Sequence, residues 1–74
     1  MAISTVIDAR KEAGLTQRDL AERLGKPPSF VAKVEIGERR LDLVEFVAIS
    51  RALNLDPADF ITRVDAAISG DIEI

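Results

Sequence analysis

Apolar positions in this chain recur at helical spacing in five short segments, each bounded by residues that start or stop a helix. The first runs from about Ile3 to Ala13. Val6, Ala9 and Ala13 mark its apolar face, Ile3, Ile7 and Leu15 extend it, and Asp8, Lys11 and Glu12 lie away from it. Ser4 or Thr5 stands near its start, and Gly14 follows its end, where an achiral residue accepts the left-handed conformation of a helix stop. Thr16 with Asp19 three residues later has the spacing of a capping box and opens a second helix, whose Leu20, Ala21 and Leu24 fall at i, i+1 and i+4. Gly25 ends it. Lys26-Pro27-Pro28-Ser29 cannot continue that helix, because Pro27 disfavours helical geometry at Lys26 and both prolines lack the N–H donor. Pro28 is well placed as the first residue of a third helix, over about Pro28 to Ile36, with Val31 and Val34 inward and Ser29, Ala32 and Lys33 on the other side.

After Gly37 a polar, basic loop, Glu38-Arg39-Arg40-Leu41, leads to Asp42 and Glu45, which repeat the capping-box spacing. The fourth helix, about Leu43 to Leu53, carries Leu43, Phe46, Val47, Ile49, Ser50 and Leu53, with Val44 widening the apolar arc. Asn54 suits its end. Asp56-Pro57 is an N-cap followed by proline at the first helical position, and Phe60, Ile61, Val64 and Ile68 then follow at helical spacing. The alternating Asp-Ile-Glu-Ile of the tail 69–74 is too short to decide a strand, and fraying is expected there. With no internal repeat and no linker, residues 1–74 read as one all-α domain, a compact bundle of five short helices with a helix-turn-helix at about 16–37.

A chain of 74 residues can bury a single core, which at this size rarely supplies more than about 3–5 kcal/mol of net stability. The absence of Cys and His removes disulfides, thiolate nucleophiles and nearly every zinc site. Asp and Glu sit at cap positions and polar faces, without a glycine-rich phosphate loop, so neither an acid–base pair nor a nucleophile is suggested. The expectation is a protein that is not an enzyme and needs no metal, cofactor or small-molecule ligand. Its apolar runs are far too short for a membrane span, and no basic segment precedes an apolar one at the N-terminus, which points to a cytoplasmic location.

The net charge of −3 argues at first against a nucleic-acid partner. Its distribution argues otherwise. Residues 10–40 hold eight basic against five acidic side chains, a net +3, whereas residues 41–74 hold two basic against seven acidic, a net −5. The chain is polarised into one part that can face phosphates and one acidic part.

Over about residues 8–61 the chain resembles the phage-repressor class of helix-turn-helix domains, the Cro and repressor (XRE) type of bacterial and phage regulators. The resemblance rests on Gly14-Leu15-Thr16-Gln17, Leu20-Ala21, Leu24-Gly25, Phe30-Val31, Lys33-Val34-Glu35, Gly37-Glu38-Arg39-Arg40 and Ala52-Leu53-Asn54-Leu55-Asp56. Each piece alone is helix grammar; together, at these spacings, they form a strong signature. The resemblance implies a lambda-repressor-like fold and sequence-specific binding of double-stranded DNA as a small transcriptional regulator. It makes 28–36 the recognition helix in the major groove, with Pro28, Ser29, Ala32 and Lys33 toward base edges. Gln17, Lys26, Arg39 and Arg40 are the implied phosphate contacts, and Arg10 with Glu35 the implied ion pair between the first and third helices.

Three residues depart from the family pattern. Pro28 has no side-chain donor and Ala32 offers only a methyl, so both are limited to apolar contacts such as a thymine methyl. Ile36 stands where a polar or basic residue is common. Directional readout falls to Ser29 and Lys33, the lysine being suited to guanine O6 and N7. So bare a face implies modest affinity per subunit and favours a homodimer, for which Val44, Val47, Val64 and Ile68 form the candidate surface together with the fifth helix. The competing reading is a protein-interaction module, an antitoxin-like or partner-binding helical domain that works through the acidic C-terminal half.

Overall fold

The computed structural model describes residues 4–68. Within them the chain forms α1 (Ser4–Glu12), α2 (Gln17–Leu24), α3 (Pro28–Glu35), α4 (Leu43–Ala52) and α5 (Pro57–Ala67). Ile3 and the tail 69–74 lie outside the described residues.

The helix starts follow the capping chemistry. The Thr16 hydroxyl accepts the Asp19 N–H at 3.0 Å while the Asp19 carboxylate accepts the Thr16 N–H at 2.9 Å. Asp42 and Glu45 make the same reciprocal pair at 2.7 and 3.0 Å. Asp56 accepts the Ala58 N–H at 2.8 Å ahead of Pro57, and Pro28 begins α3 after an extended Pro27. At Asp19 the Thr16 backbone N–H, then the Thr16 hydroxyl and the Arg23 charge, hold the carboxyl below its ordinary value. A carboxyl lowered in the folded state favours folding above the ordinary Asp value of about 3.9, and loses that contribution as the pH falls through the lowered value.

Three helix ends fall one residue short of the expected ones, leaving Ala13, Ile36 and Leu53 just past their helices. Ala13 is exposed as a result, so the buried face of α1 is Val6, Ala9 and Arg10 rather than Val6, Ala9 and Ala13. Two of the chain reversals use a left-handed residue followed by a long bond back to the helix. At the end of α2, Gly25 has φ 66° and the Lys26 N–H reaches the Ala21 carbonyl at 3.0 Å. At the end of α4, Asn54 has φ 58° and the Leu55 N–H reaches the Ser50 carbonyl at 2.8 Å. In each case the same carbonyl also accepts the N–H of the helix's C-cap residue, Gly25 or Leu53, so the reversal closes on the last turn of the helix.

The buried core draws on every helix: Val6 and Ala9 from α1, Leu20 and Ala21 from α2, Val31 from α3, Ile49 from α4 and Phe60 from α5. Phe46 stacks on Phe60 with ring centroids 5.2 Å apart, joining α4 to α5. α2 packs against α3 and α4, and α1 reaches α3 and α5. Polar links supplement these contacts. Arg23 donates to the Ala52 carbonyl at 2.8 Å, tying α2 to the end of α4, and Arg63 pairs with Glu12 at 2.9 Å across α5 and α1. Leu43 does not join the apolar arc expected of α4: it is 78% exposed and Val44 76%. The Asp42 cap puts both in the first turn, one turn ahead of Phe46 and Val47, where the packed part of the helix begins.

A Cβ built on Gly25 meets nothing within 4 Å. Gly25→Ala should therefore act through backbone conformation alone, costing about 1–2 kcal/mol for an L-residue in the left-handed region, or a fall in melting temperature of roughly 4–8 °C per kcal/mol. Thermal unfolding followed by circular dichroism checks this, with the far-ultraviolet spectrum of the folded state unchanged.

Candidate nucleic-acid interface

α3 is held from behind and bare in front. Val31 and Val34, each 1% exposed, seat it on the core. Pro28, Ser29 and Lys33 are exposed and Ala32 is half-buried, so the four expected base-reading positions lie on or beside the outward side of one helix. Beyond its end Ile36 is 62% exposed. Lys26 just before α3 and Arg40 in the loop after it are both exposed, which brackets the helix in sequence with two accessible cations.

The orientation of α3 is set by a buried polar network. The Arg10 guanidinium meets the Glu35 carboxylate through Nε to Oε2 at 2.7 Å and Nη2 to Oε1 at 3.1 Å, and Nη1 donates to the Leu15 carbonyl at 2.8 Å. Glu35 Oε1 also accepts the Gln17 side-chain amide at 2.9 Å. Arg10 is 9% exposed and Glu35 3%. The expected ion pair is formed, and it extends to the start of α2.

That extension changes the position of Gln17. Its amide nitrogen turns inward to Glu35, so an anion at the start of α2 would meet the first-turn backbone N–H groups rather than this donor. Arg39 is likewise engaged within the chain. It pairs with Glu45, donates to the Arg40 carbonyl at 3.3 Å, and lies over the Phe30 ring at 4.9 Å from the centroid. Lys26 approaches the same ring at 5.7 Å. The roles of Phe30 and of Glu45 toward Arg39 were not read from the sequence. The only signal was the spacing of Glu45 in a capping box, which explains one of its oxygens and not the other.

Among the described residues no group of three or more His, Cys, Asp or Glu side chains could hold a metal ion, and no helix is long and apolar enough to cross a membrane.

The profile of the helix-turn-helix family matches residues 6–60, with α2, the Gly25 turn and α3 at its centre. The chain belongs to the XRE/Cro-type helix-turn-helix family. An XRE-family-like protein from Pseudomonas syringae pv. tomato shares 42% sequence identity, with a TM-score of 0.80 over 90% of this chain and 82% of that one. The clp gene regulator ClgR of C. glutamicum superposes with a TM-score of 0.82 over 89% of this chain and 86% of that one; at 21% identity this similarity concerns the fold. The cyanate hydratase of Aquifex aeolicus is 33% identical over 61 residues, which are 82% of this chain and 41% of that enzyme, so the chain spans less than half of this relative.

Within this helix-turn-helix, removing one partner of the buried pair leaves the other charged and unmatched. Glu35→Ala is expected to cost about 3–5 kcal/mol, comparable with the whole stability of a domain this small. Urea unfolding should show the variant largely unfolded, and replacing both partners, as Arg10→Met with Glu35→Leu, should recover most of the loss. A loss below about 1 kcal/mol for Glu35→Ala would mean that the pair behaves as a surface ion pair.

Proposed function

We propose that the protein is a small transcriptional regulator that binds double-stranded DNA in a sequence-specific manner, with α3 in the major groove. The observation that carries this reading is the outward side of α3, where Ser29 and Lys33 stand exposed while Val31, Val34 and Glu35 are buried behind them. Lys33 reads guanine O6 and N7, Ser29 contacts a base edge or its flanking phosphate, and Pro28 and Ala32 supply apolar contacts. Lys26, Arg40 and the start of α2 at Gln17 hold the phosphate backbone. The protein acts in the cytoplasm without catalysis.

The working unit in this reading is a homodimer. Of the four residues expected at its surface, Val44 is the most exposed, while Val47, Val64 and Ile68 are half-buried. Leu43, and Ile61 at 51% exposure, belong with them: Ile61 and Val64 share one face of α5, which Ile68 follows just past the helix end, and Leu43, Val44 and Val47 share one face of α4. A two-fold pair would cover these side chains and present two copies of α3 to a two-fold operator.

Selection of bound fragments from the source genome tests the reading. A recurrent motif with two half-sites is expected. Arg40→Ala should weaken binding to all sequences alike and reduce the slope of log affinity against log salt by about 0.9. Lys33→Ala should relax the preference at one base pair by about 1–3 kcal/mol. Failure to enrich any sequence, with both variants indistinguishable from the parent, favours a protein-interaction module instead.

A second measurement addresses the dimer. Sedimentation should show Val44→Asp as a monomer at concentrations where the parent is dimeric. A parent that stays monomeric at micromolar concentration, free and on DNA, would remove the two-fold pair.

A further inference from the structure

We propose that Glu45 withholds Arg39 from the DNA backbone, making Arg39 the fastening of the α3–α4 loop and leaving Arg40 as the phosphate contact of that loop. The proposal rests on the DNA-binding reading above. The two adjacent arginines have different surroundings. Both are exposed, the Arg39 side chain at 42%, but the Arg39 guanidinium is engaged within the chain: its Nη2 pairs with Glu45 Oε2, its Nη1 donates to the Arg40 carbonyl at 3.3 Å, and its Cζ lies over Phe30 at 4.9 Å from the ring centroid.

Glu45 is itself well anchored. Its other oxygen accepts the Asp42 N–H at 3.0 Å, its own N–H is capped by Asp42, and its side chain is 19% exposed. To reach a phosphate, Arg39 would have to leave a neutralising carboxylate that the α4 cap holds in place, together with the half-buried Phe30 of the recognition helix. The pairing thus joins the last part of the reading unit to α4 and reduces by one the cations available for binding that is indifferent to sequence.

Glu45→Gln separates the two functions of this side chain, since glutamine at the third helical position still completes a capping box but carries no charge. The experiment measures binding to a mixed-sequence duplex two helical turns long as a function of salt, for the parent, Arg39→Gln, Glu45→Gln and the double variant. The parent and Arg39→Gln should show the same slope of log affinity against log salt. Glu45→Gln should steepen it by about 0.9, and the double variant should return to the parent slope. A loss of about 0.9 on changing Arg39 alone, or a steepening by Glu45→Gln that persists without Arg39, overturns the proposal.

A readout without DNA accompanies these titrations. In NMR spectra of the free protein, restricted rotation should give separate Arg39 guanidinium Nη signals that merge in Glu45→Gln. Signals already merged in the parent overturn the proposal whatever the DNA result. Separate signals in a parent that binds no duplex at low salt would instead refute the DNA-binding reading, and the withholding of Arg39 with it.

Discussion

The geometry of this domain depends on one desolvated ion pair. Burying a guanidinium and a carboxylate costs several kcal/mol for each ion, and their attraction restores this only when the remaining donors and acceptors are also satisfied. Here they are: Arg10 uses Nε and Nη2 on Glu35 and Nη1 on the Leu15 carbonyl, and Glu35 takes a third donor from Gln17. Among the described residues no buried side-chain nitrogen or oxygen lacks a partner. The net stabilisation from such a network is small, but its directionality is large. Val31 and Val34 would tolerate a range of tilts of α3 against the core, because apolar contact is non-directional. Four groups meeting at fixed distances permit few, and they come from α1, the α1–α2 loop, the start of α2 and the end of α3. The position of α3 relative to the start of α2, the two parts that would share one DNA groove and its edge, follows from this constraint.

What was legible in the sequence was the part of the physics that is local. Thr16 with Asp19, Asp42 with Glu45 and Asp56 with Pro57 are decided by residues at most three apart, and each helix starts where they place it. Gly25 and Asn54 similarly mark reversals that the backbone makes for its own reasons. Non-local pairings were not legible from spacing. Gln17 has the side chain expected of a phosphate donor, and nothing within its own helix shows that Glu35, eighteen residues on, will take its amide. Arg10 with Glu35 was anticipated only through the family resemblance, and Arg39 with Glu45 was not anticipated at all. Leu43 shows a different limit: periodicity assigns it to the apolar arc of α4, but periodicity cannot say at which turn of a helix the packing begins.

Charge ties the fold to the direction from which DNA can approach. Asp56 caps α5, and Asp59 and Asp65 lie exposed along it, on a helix that packs against α1 and α4. These carboxylates repel a phosphate backbone, while three of the exposed cations, Lys26, Lys33 and Arg40, are on or next to α3. A field divided in this way orients an encounter before contact is made, even though the net charge of −3 has the wrong sign for DNA. The division also bears on selectivity. In the proposed reading Pro28 and Ala32 offer no directional donor, so one copy of α3 would carry few base-specific hydrogen bonds, and adding cations would strengthen binding to every sequence equally. Selectivity must then come from geometry, from the rigid seating of α3 on the Arg10–Glu35 network and, in the proposed dimer, from the fixed spacing of two such helices. A sparse reading surface can discriminate only if its few groups are held where a wrong base pair leaves them without partners, and in the proposed reading that would place the burden of recognition on the buried residues behind α3.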